Sequence, residues 1–115
     1  MRNRKDILLE LINYNGNITQ LQKELSFYEW DIDEPLLTVS KIDVDNLFDK
    51  FIRGDINVID LEEWANIIEC REDLSFEEEE LKEIIHEIAN PVLFHELNSE
   101  RVVNYKKKIR ELSNG

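Results

Sequence analysis

Apolar residues recur at helical spacing along most of the chain, and this pattern constrains the fold more than any other feature. The clearest stripe lies at residues 44, 47, 48, 51 and 52, which gives the offsets 0, 3, 4, 7 and 8 of a core-facing helix. Glycine and proline are scarce, at three and two residues, which favours helices over a loop-rich β fold. The sequence predicts an all-α protein, a compact bundle of five or six mostly antiparallel helices forming one domain over residues 1–115.

Capping signals divide the chain into these helices. Start signals, a capping residue followed three positions later by a polar or acidic one, are Asn17 with Gln20, Ser40 with Asp43, Asn57 with Asp60, and Ser75 with Glu78. Gly16 and Gly54 are typical helix stops. Helices 41–53 and 58–70 form a predicted hairpin. The first helix spans about 4–14, and Asn98 or Ser99 begins the last.

Residues 30–39 interrupt the helical pattern. Pro35 disfavours a helical conformation at Glu34. We expect Leu36, Leu37 and Val39 to form a short extended strap over the core. A strand is compatible with this segment, but the sequence offers no clear partner for it.

The negative charge is concentrated in the middle of the chain. The net charge is −12, and residues 24–100 hold 23 acidic side chains but only 5 basic ones, whereas both ends are basic. Such a centre repels nucleic acid and anionic membranes and attracts basic proteins. We therefore expect a basic protein partner, with no nucleic acid and no membrane.

The chain has one cysteine, Cys70, so it cannot form an intrachain disulfide. At the end of a predicted helix, Cys70 is expected to be a small buried residue. No signal peptide and no stretch long enough to span a membrane is evident, so we expect a cytoplasmic protein.

Catalytic and metal-binding patterns are weak. The sequence lacks a nucleophile elbow, a Walker loop and a glycine-rich phosphate cradle. Glu83 and His86 share one helix face, but carboxylate-bridged metal sites need this pair twice. The acidic clusters do not have the ligand spacing of a calcium loop. We expect no cofactor, no metal and no enzymatic activity.

Acidic residues of two adjacent predicted helices are the candidate binding site. Residues 77–80 lie in a first helical turn, where glutamates also complement the helix dipole. That preference does not explain the acids upstream, which lie mostly away from the apolar stripe containing Trp64, itself a predicted core residue. The predicted partner-binding residues are Asp60, Glu62, Glu63, Glu69, Glu72, Asp73, Glu77, Glu78, Glu79 and Glu80.

Residues 55–69, followed by 71–74 and 88–91, resemble a pattern found in small uncharacterised bacterial helical proteins. The resemblance covers about residues 36–112. It implies a bacterial cytoplasmic helical protein, and small immunity proteins that accompany secreted toxins are the class it suggests. It provides no catalytic residues to transfer, and the first 30 residues lie outside it.

The leading hypothesis is an immunity protein or antitoxin that inhibits a basic toxin, for example a nuclease, because an acidic protein can cover a nucleic-acid-binding surface. The alternative is a homodimeric structural or regulatory adaptor that uses Trp30 and the apolar residues 92–94. A carboxylate-based metal protein or enzyme, in which His95 could also take part, is the third hypothesis.

Overall fold

A computed structural model of the chain describes residues 3–28, 34–90 and 98–113. Within these ranges the chain forms six α-helices and one two-stranded β-sheet. In chain order, the elements are α1 (Arg4–Ile12), α2 (Ile18–Leu25), β1 (Leu37–Val39), α3 (Lys41–Arg53), α4 (Val58–Glu69), β2 (Leu74–Phe76), α5 (Glu79–Ala89) and α6 (Ser99–Ser113). The predicted all-α bundle is confirmed, with a small parallel sheet added to it.

Side-chain caps begin most helices where the sequence predicts them. Ser40 Oγ accepts a hydrogen bond from the Asp43 amide at 3.1 Å, and Asp43 Oδ2 accepts one from the Ser40 amide at 2.9 Å. Asn57 and Asp60 form the same reciprocal box at the start of α4. Gly54 ends α3 with a φ of 84°, a left-handed conformation that glycine adopts without steric cost.

The predicted start of α5 is wrong. Ser75 lies in β2, where its hydroxyl is 2.8 Å from the Thr38 hydroxyl on the neighbouring strand. The helix begins four residues later at Glu79, and its N-cap residue Glu78 makes no side-chain capping bond. The capping pattern is present in the sequence, but strand pairing has engaged the serine instead.

The extended strap predicted at residues 36–39 does have a strand partner. β1 and β2 pair in parallel, with Leu37 opposite Leu74 and Val39 opposite Phe76. The partner was not evident from the sequence because α3 and α4 separate the two strands along the chain. A parallel pair always requires such a long crossover connection.

The helices pack in three pairs, α1 with α2, α3 with α6, and α4 with α5. Trp64 is fully buried, as predicted, and its indole Nε1 donates to the Leu11 carbonyl at 2.8 Å. Lys50 of α3 donates to the Asn13 carbonyl at 2.8 Å and to the Tyr14 carbonyl at 3.2 Å. Carbonyls at the end of α1 are thus satisfied by side chains from two other helices.

Asp73, between α4 and β2, lies at the junction of four segments. Its carboxylate accepts two hydrogen bonds from Arg4, at 2.8 and 3.0 Å, and two from Arg71, at 2.6 and 2.8 Å. Its carbonyl accepts a hydrogen bond from the Leu36 amide at 2.8 Å, just before β1. The Arg4 guanidinium also lies 5.8 Å from the ring centroid of Tyr28, after α2. We call Asp73 with Arg4 and Arg71 the arginine clasp.

Burial and the two arginines have opposite effects on the Asp73 carboxyl group. Burial by itself raises the pKa, because Asp73 is only 1% exposed and a charge is poorly solvated there. The hydrogen bonds and positive charges of Arg71 and Arg4 together outweigh burial, so the pKa lies below its ordinary value of 3.8. Asp73 is therefore ionised in the folded protein at neutral pH.

We expect Asp73→Asn to lower the free energy of unfolding by about 3 kcal/mol at pH 7, because two partly buried guanidinium groups lose their counter-charge. Urea unfolding followed by circular dichroism measures this change. The control is Glu72→Gln at the exposed neighbouring residue, which should change stability by less than about 0.5 kcal/mol. Equal stabilities for the two variants would contradict a structural role for the clasp.

The clasp should also make stability depend on pH in the acid range. A lowered folded-state pKa contributes stability that is complete above the unfolded-state value of 3.8 and is lost as the pH falls through the folded-state pKa. The difference in unfolding free energy between the wild type and Asp73→Asn should therefore be constant from about pH 5 to 7 and shrink below about pH 4. A difference that stays constant down to pH 2 would exclude this linkage.

Candidate protein-binding groove

Two cavities meet beside α5. One of about 580 Å³ runs along α5, and its described lining residues are Glu69, Glu79, Lys82, Glu83, His86 and Glu87. The other, of about 590 Å³, lies against β2, and its described lining residues are Glu69, Cys70, Arg71, Glu72, Leu74, Ser75, Phe76, Glu79 and Lys82. Because the cavities share Glu69, Glu79 and Lys82, we treat them as one feature, the acidic groove.

Helical spacing places three carboxylates of α5 on the groove side. Glu79, Glu83 and Glu87 are each four residues apart, so they follow one another along the same helix face. The opposite face carries the apolar residues Leu81, Ile84, Ile85 and Ile88, which are buried in the core. The amphipathic pattern of α5 thus fixes where its acids lie.

The groove has more negative than positive charge. Five carboxylates line it, from Glu69, Glu72, Glu79, Glu83 and Glu87. Among the described lining residues, the basic side chains are those of Lys82, His86 and Arg71. His86 Nδ1 forms a hydrogen bond with Glu69, and the guanidinium of Arg71 pairs with Asp73. The groove is therefore a concave surface suited to a cationic ligand.

Three of the ten predicted site residues, Glu69, Glu72 and Glu79, lie in the groove. The sequence analysis did not include Glu83 and Glu87 in the site. The signal that could have identified them is their spacing, since Glu83 lies four residues and Glu87 eight residues after Glu79 on a helix whose apolar face was already assigned. The predicted site contains the consecutive acids 77–80 instead, although consecutive residues point in different directions on a helix.

Glu77 and Glu78 contact the start of α3. Glu77 Oε2 accepts a hydrogen bond from the Lys41 amide at 2.8 Å. The Lys41 ammonium is 3.5 Å from a carboxylate oxygen of each of the two glutamates. These acids therefore connect the segment after β2 to α3. The fourth residue of the run, Glu80, is partly buried.

Asp60, Glu62 and Glu63 lie in the first half of α4. Asp60 is the acidic member of the capping box of α4, and its carboxylate is near enough to the Tyr14 hydroxyl to affect the ionisation of that group. Burial and the negative charges of Asp60 and Glu63 raise the pKa of Tyr14 to about 12. Glu63 also lines a shallow groove between α2 and α4, and Glu62 is partly buried. Nine residues of helix, about 14 Å, separate Asp60 from Glu69.

The prediction that Asp73 contacts a partner protein is wrong. The carboxylate is enclosed by the clasp and its residue is only 1% exposed, so it is not accessible to another protein. The sequence showed an acid between other acids, whereas the fold brings Arg4 to it from 69 residues away. Its position in the sequence therefore did not indicate its environment.

Cys70 is exposed, contrary to the expectation that it is buried. It is the C-cap residue of α4, where the chain leaves the core towards the β2 side of the groove. Among the residues that the structure describes, no group of three or more histidine, cysteine or acidic side chains is arranged to hold a metal ion. Trp30, His95 and residues 92–94 lie outside the described ranges.

Comparison of the chain with protein-family models, with curated proteins and with solved structures finds no match. None of the described helices combines the length and the apolar character needed to cross a bilayer.

The Tyr14 environment can be checked by titration. Because its pKa is raised from 10.0 to about 12, the neutral phenol should contribute stability that is complete below pH 10 and is lost as the pH rises through about 12. The difference in tyrosinate absorbance between the wild type and Tyr14→Phe should have its midpoint near pH 12. Glu63→Gln should lower this midpoint, whereas Glu62→Gln should leave it unchanged. A Tyr14 midpoint near 10 in the folded protein would contradict the combined effect of burial, Asp60 and Glu63 on this phenol.

Proposed function

We propose that this protein is an acidic binding module that inhibits a basic toxin, as an immunity protein or antitoxin does. The observation that carries the proposal is the acidic groove, where five carboxylates line a concave surface beside α5 and β2. Nuclease toxins are one fitting class, because a surface that binds phosphates must be basic.

The shape of the groove adds to its charge. Carboxylates in a concavity with protein walls focus the electrostatic field, and charge pairs formed there are less screened than pairs on a convex surface. A lysine or arginine side chain of a partner could extend its apolar stem along the groove while its charged end meets Glu79 or Glu83. The same field repels nucleic acid, which disfavours a nucleic-acid-binding role.

Electrostatic steering also suits the task of an inhibitor. An inhibitor of a toxin must bind before the toxin reaches its cellular substrate, so a fast association rate is useful. Complementary charge raises association rates by about 10- to 1,000-fold, and the gain falls as salt increases. We therefore expect the affinity for the partner to depend strongly on ionic strength.

The proposal is tested with the basic partner recovered by affinity capture from the source organism. Glu79→Lys combined with Glu83→Lys should weaken binding by about 100-fold at low salt and reduce its salt dependence, because attraction in the groove becomes repulsion. Calorimetry over a series of salt concentrations measures both effects. Both residues are exposed, so the helix should remain folded.

The matched control changes the same total charge elsewhere. Glu10→Lys on α1 combined with Glu111→Lys on α6 alters the net charge equally but leaves the groove intact. This control should change affinity by less than about threefold. The proposal fails if the groove variant and the control bind equally well. It also fails if a recovered partner binds with the same affinity at low and high salt.

A further inference from the structure

At the outer edge of β2, some main-chain groups have no hydrogen-bond partner among the residues that the structure describes. In a parallel pair of this register, Leu37, Val39 and Ser75 direct their N–H and C=O groups across the ladder. Leu74 and Phe76 direct theirs to the other side. Within the described part of the chain, these outward groups of Leu74 and Phe76 make no backbone hydrogen bond.

The absence of partners is costly at Leu74 in particular. This residue is only 5% exposed and it lines the β2 side of the groove, so water reaches its N–H and C=O only from the groove. A buried main-chain group without a hydrogen bond costs free energy comparable to a lost bond. Phe76, at the other end of the strand, is partly exposed. The outer edge of β2 therefore presents main-chain donors and acceptors that another strand could bond.

There is space beside this strand for another chain. The β2 side of the acidic groove, about 590 Å³, is lined by all three residues of β2. Among the described elements, β2 also packs against α5, and β1 packs against α1. Exposed strand edges are known sites for the addition of an extended peptide from a partner.

The charge of the same cavity identifies the chemistry of the added segment. Glu69, Glu72 and Glu79 line the β2 side of the groove and outnumber the two cations among its described lining residues, Arg71 and Lys82. Alternate side chains of an extended segment point to opposite sides, so basic residues at every second position could face these carboxylates. Arg71 is held by Asp73, which it shares with Arg4, so its guanidinium is turned into the clasp.

We propose that the groove binds an extended basic segment of the partner protein as a third strand along the outer edge of β2. This inference rests on the proposed function, because it assumes that the partner is a basic protein. The segment makes up to four main-chain hydrogen bonds, two with Leu74 and two with Phe76. Main-chain bonds give affinity, and the carboxylates select basic side chains.

The first experiment uses a synthetic peptide that alternates lysine and valine, and measures amide hydrogen exchange by NMR. With peptide at about ten times its Kd, exchange at the Leu74 and Phe76 amides should slow by about tenfold. The Ser75 amide, already bonded within the sheet, should change little. A peptide that alternates glutamate and valine is the charge control. The proposal is overturned if the lysine peptide does not bind, or if it binds without protecting Leu74 and Phe76.

A modified peptide tests the main-chain bonds without altering the protein. Methylation of the backbone nitrogens on one edge of the peptide removes its donors on that edge, whereas methylation of the alternate nitrogens affects the other edge. One of the two peptides should bind at least about tenfold more weakly than the other, since only one edge can face β2. Equal affinities would overturn strand addition.

A pair of variants gives the same test on the protein side. Phe76→Pro removes the outward N–H, and proline is tolerated on an edge strand. Phe76→Ala removes the same ring but keeps the N–H, so it is the matched control. Phe76→Pro should bind the peptide at least about tenfold more weakly than Phe76→Ala, with equal helix content by circular dichroism. Equal binding by two folded variants would overturn the inference.

The recovered partner separates this inference from the proposed function. If its binding depends on Glu79 and Glu83 but the Leu74 and Phe76 amides exchange as in the free protein, strand addition is wrong and the acidic groove remains the binding site. If neither dependence is found, both proposals fail. Dependence on both supports a basic strand docked on β2.

Discussion

The arginine clasp is the interaction on which the arrangement of this fold depends. Asp73 connects the start of α1, through Arg4, to the segment that leads from α4 into β2. Its carbonyl also receives the Leu36 amide, which sets the register of the parallel pair. A three-residue strand pair has little stability alone, so its position must be fixed from outside. Because β2 forms one wall of the acidic groove, the clasp positions that wall as well.

Several basic residues of the acidic middle region are engaged inside the fold, which explains why the groove keeps its negative charge. Lys50 binds the carbonyls at the end of α1, Lys41 pairs with two glutamates, and Arg71 belongs to the clasp. From the basic C-terminal region, Lys106 pairs with Asp49 of α3. These cations hold elements together, and the acids that they pair with do not line the groove. Within the described ranges, the carboxylates of α5 that line the groove have fewer such partners, so the groove keeps an excess of negative charge.

The outcome differs between predictions that depend on residues close together in the chain and predictions that depend on distant residues. Reciprocal capping by Ser40 and Asp43 was predicted correctly, because both hydrogen bonds form within one helical turn. Ser75 has a similar local pattern, but its predicted capping role was wrong, because pairing with Thr38 on another strand competes with capping. Of the predicted site residues, Glu69, Glu72 and Glu79 line the groove, whereas Asp73 is enclosed by the clasp. Glu83 also lines the groove but was not among the predicted residues. Charge in a sequence does not reveal which acids meet a distant arginine.

The sequence by itself determined the helices, most of their starts, most of their buried faces and the excess of negative charge, since these follow from spacing, capping and composition over short stretches. Only the tertiary structure decided that β1 and β2 pair, that Asp73 is enclosed by Arg4 and Arg71, and that the acids of α5 border a groove. These features join residues that are far apart in the chain. Their formation depends on how complete helices pack, because a carboxylate is buried or exposed according to what the rest of the fold brings beside it.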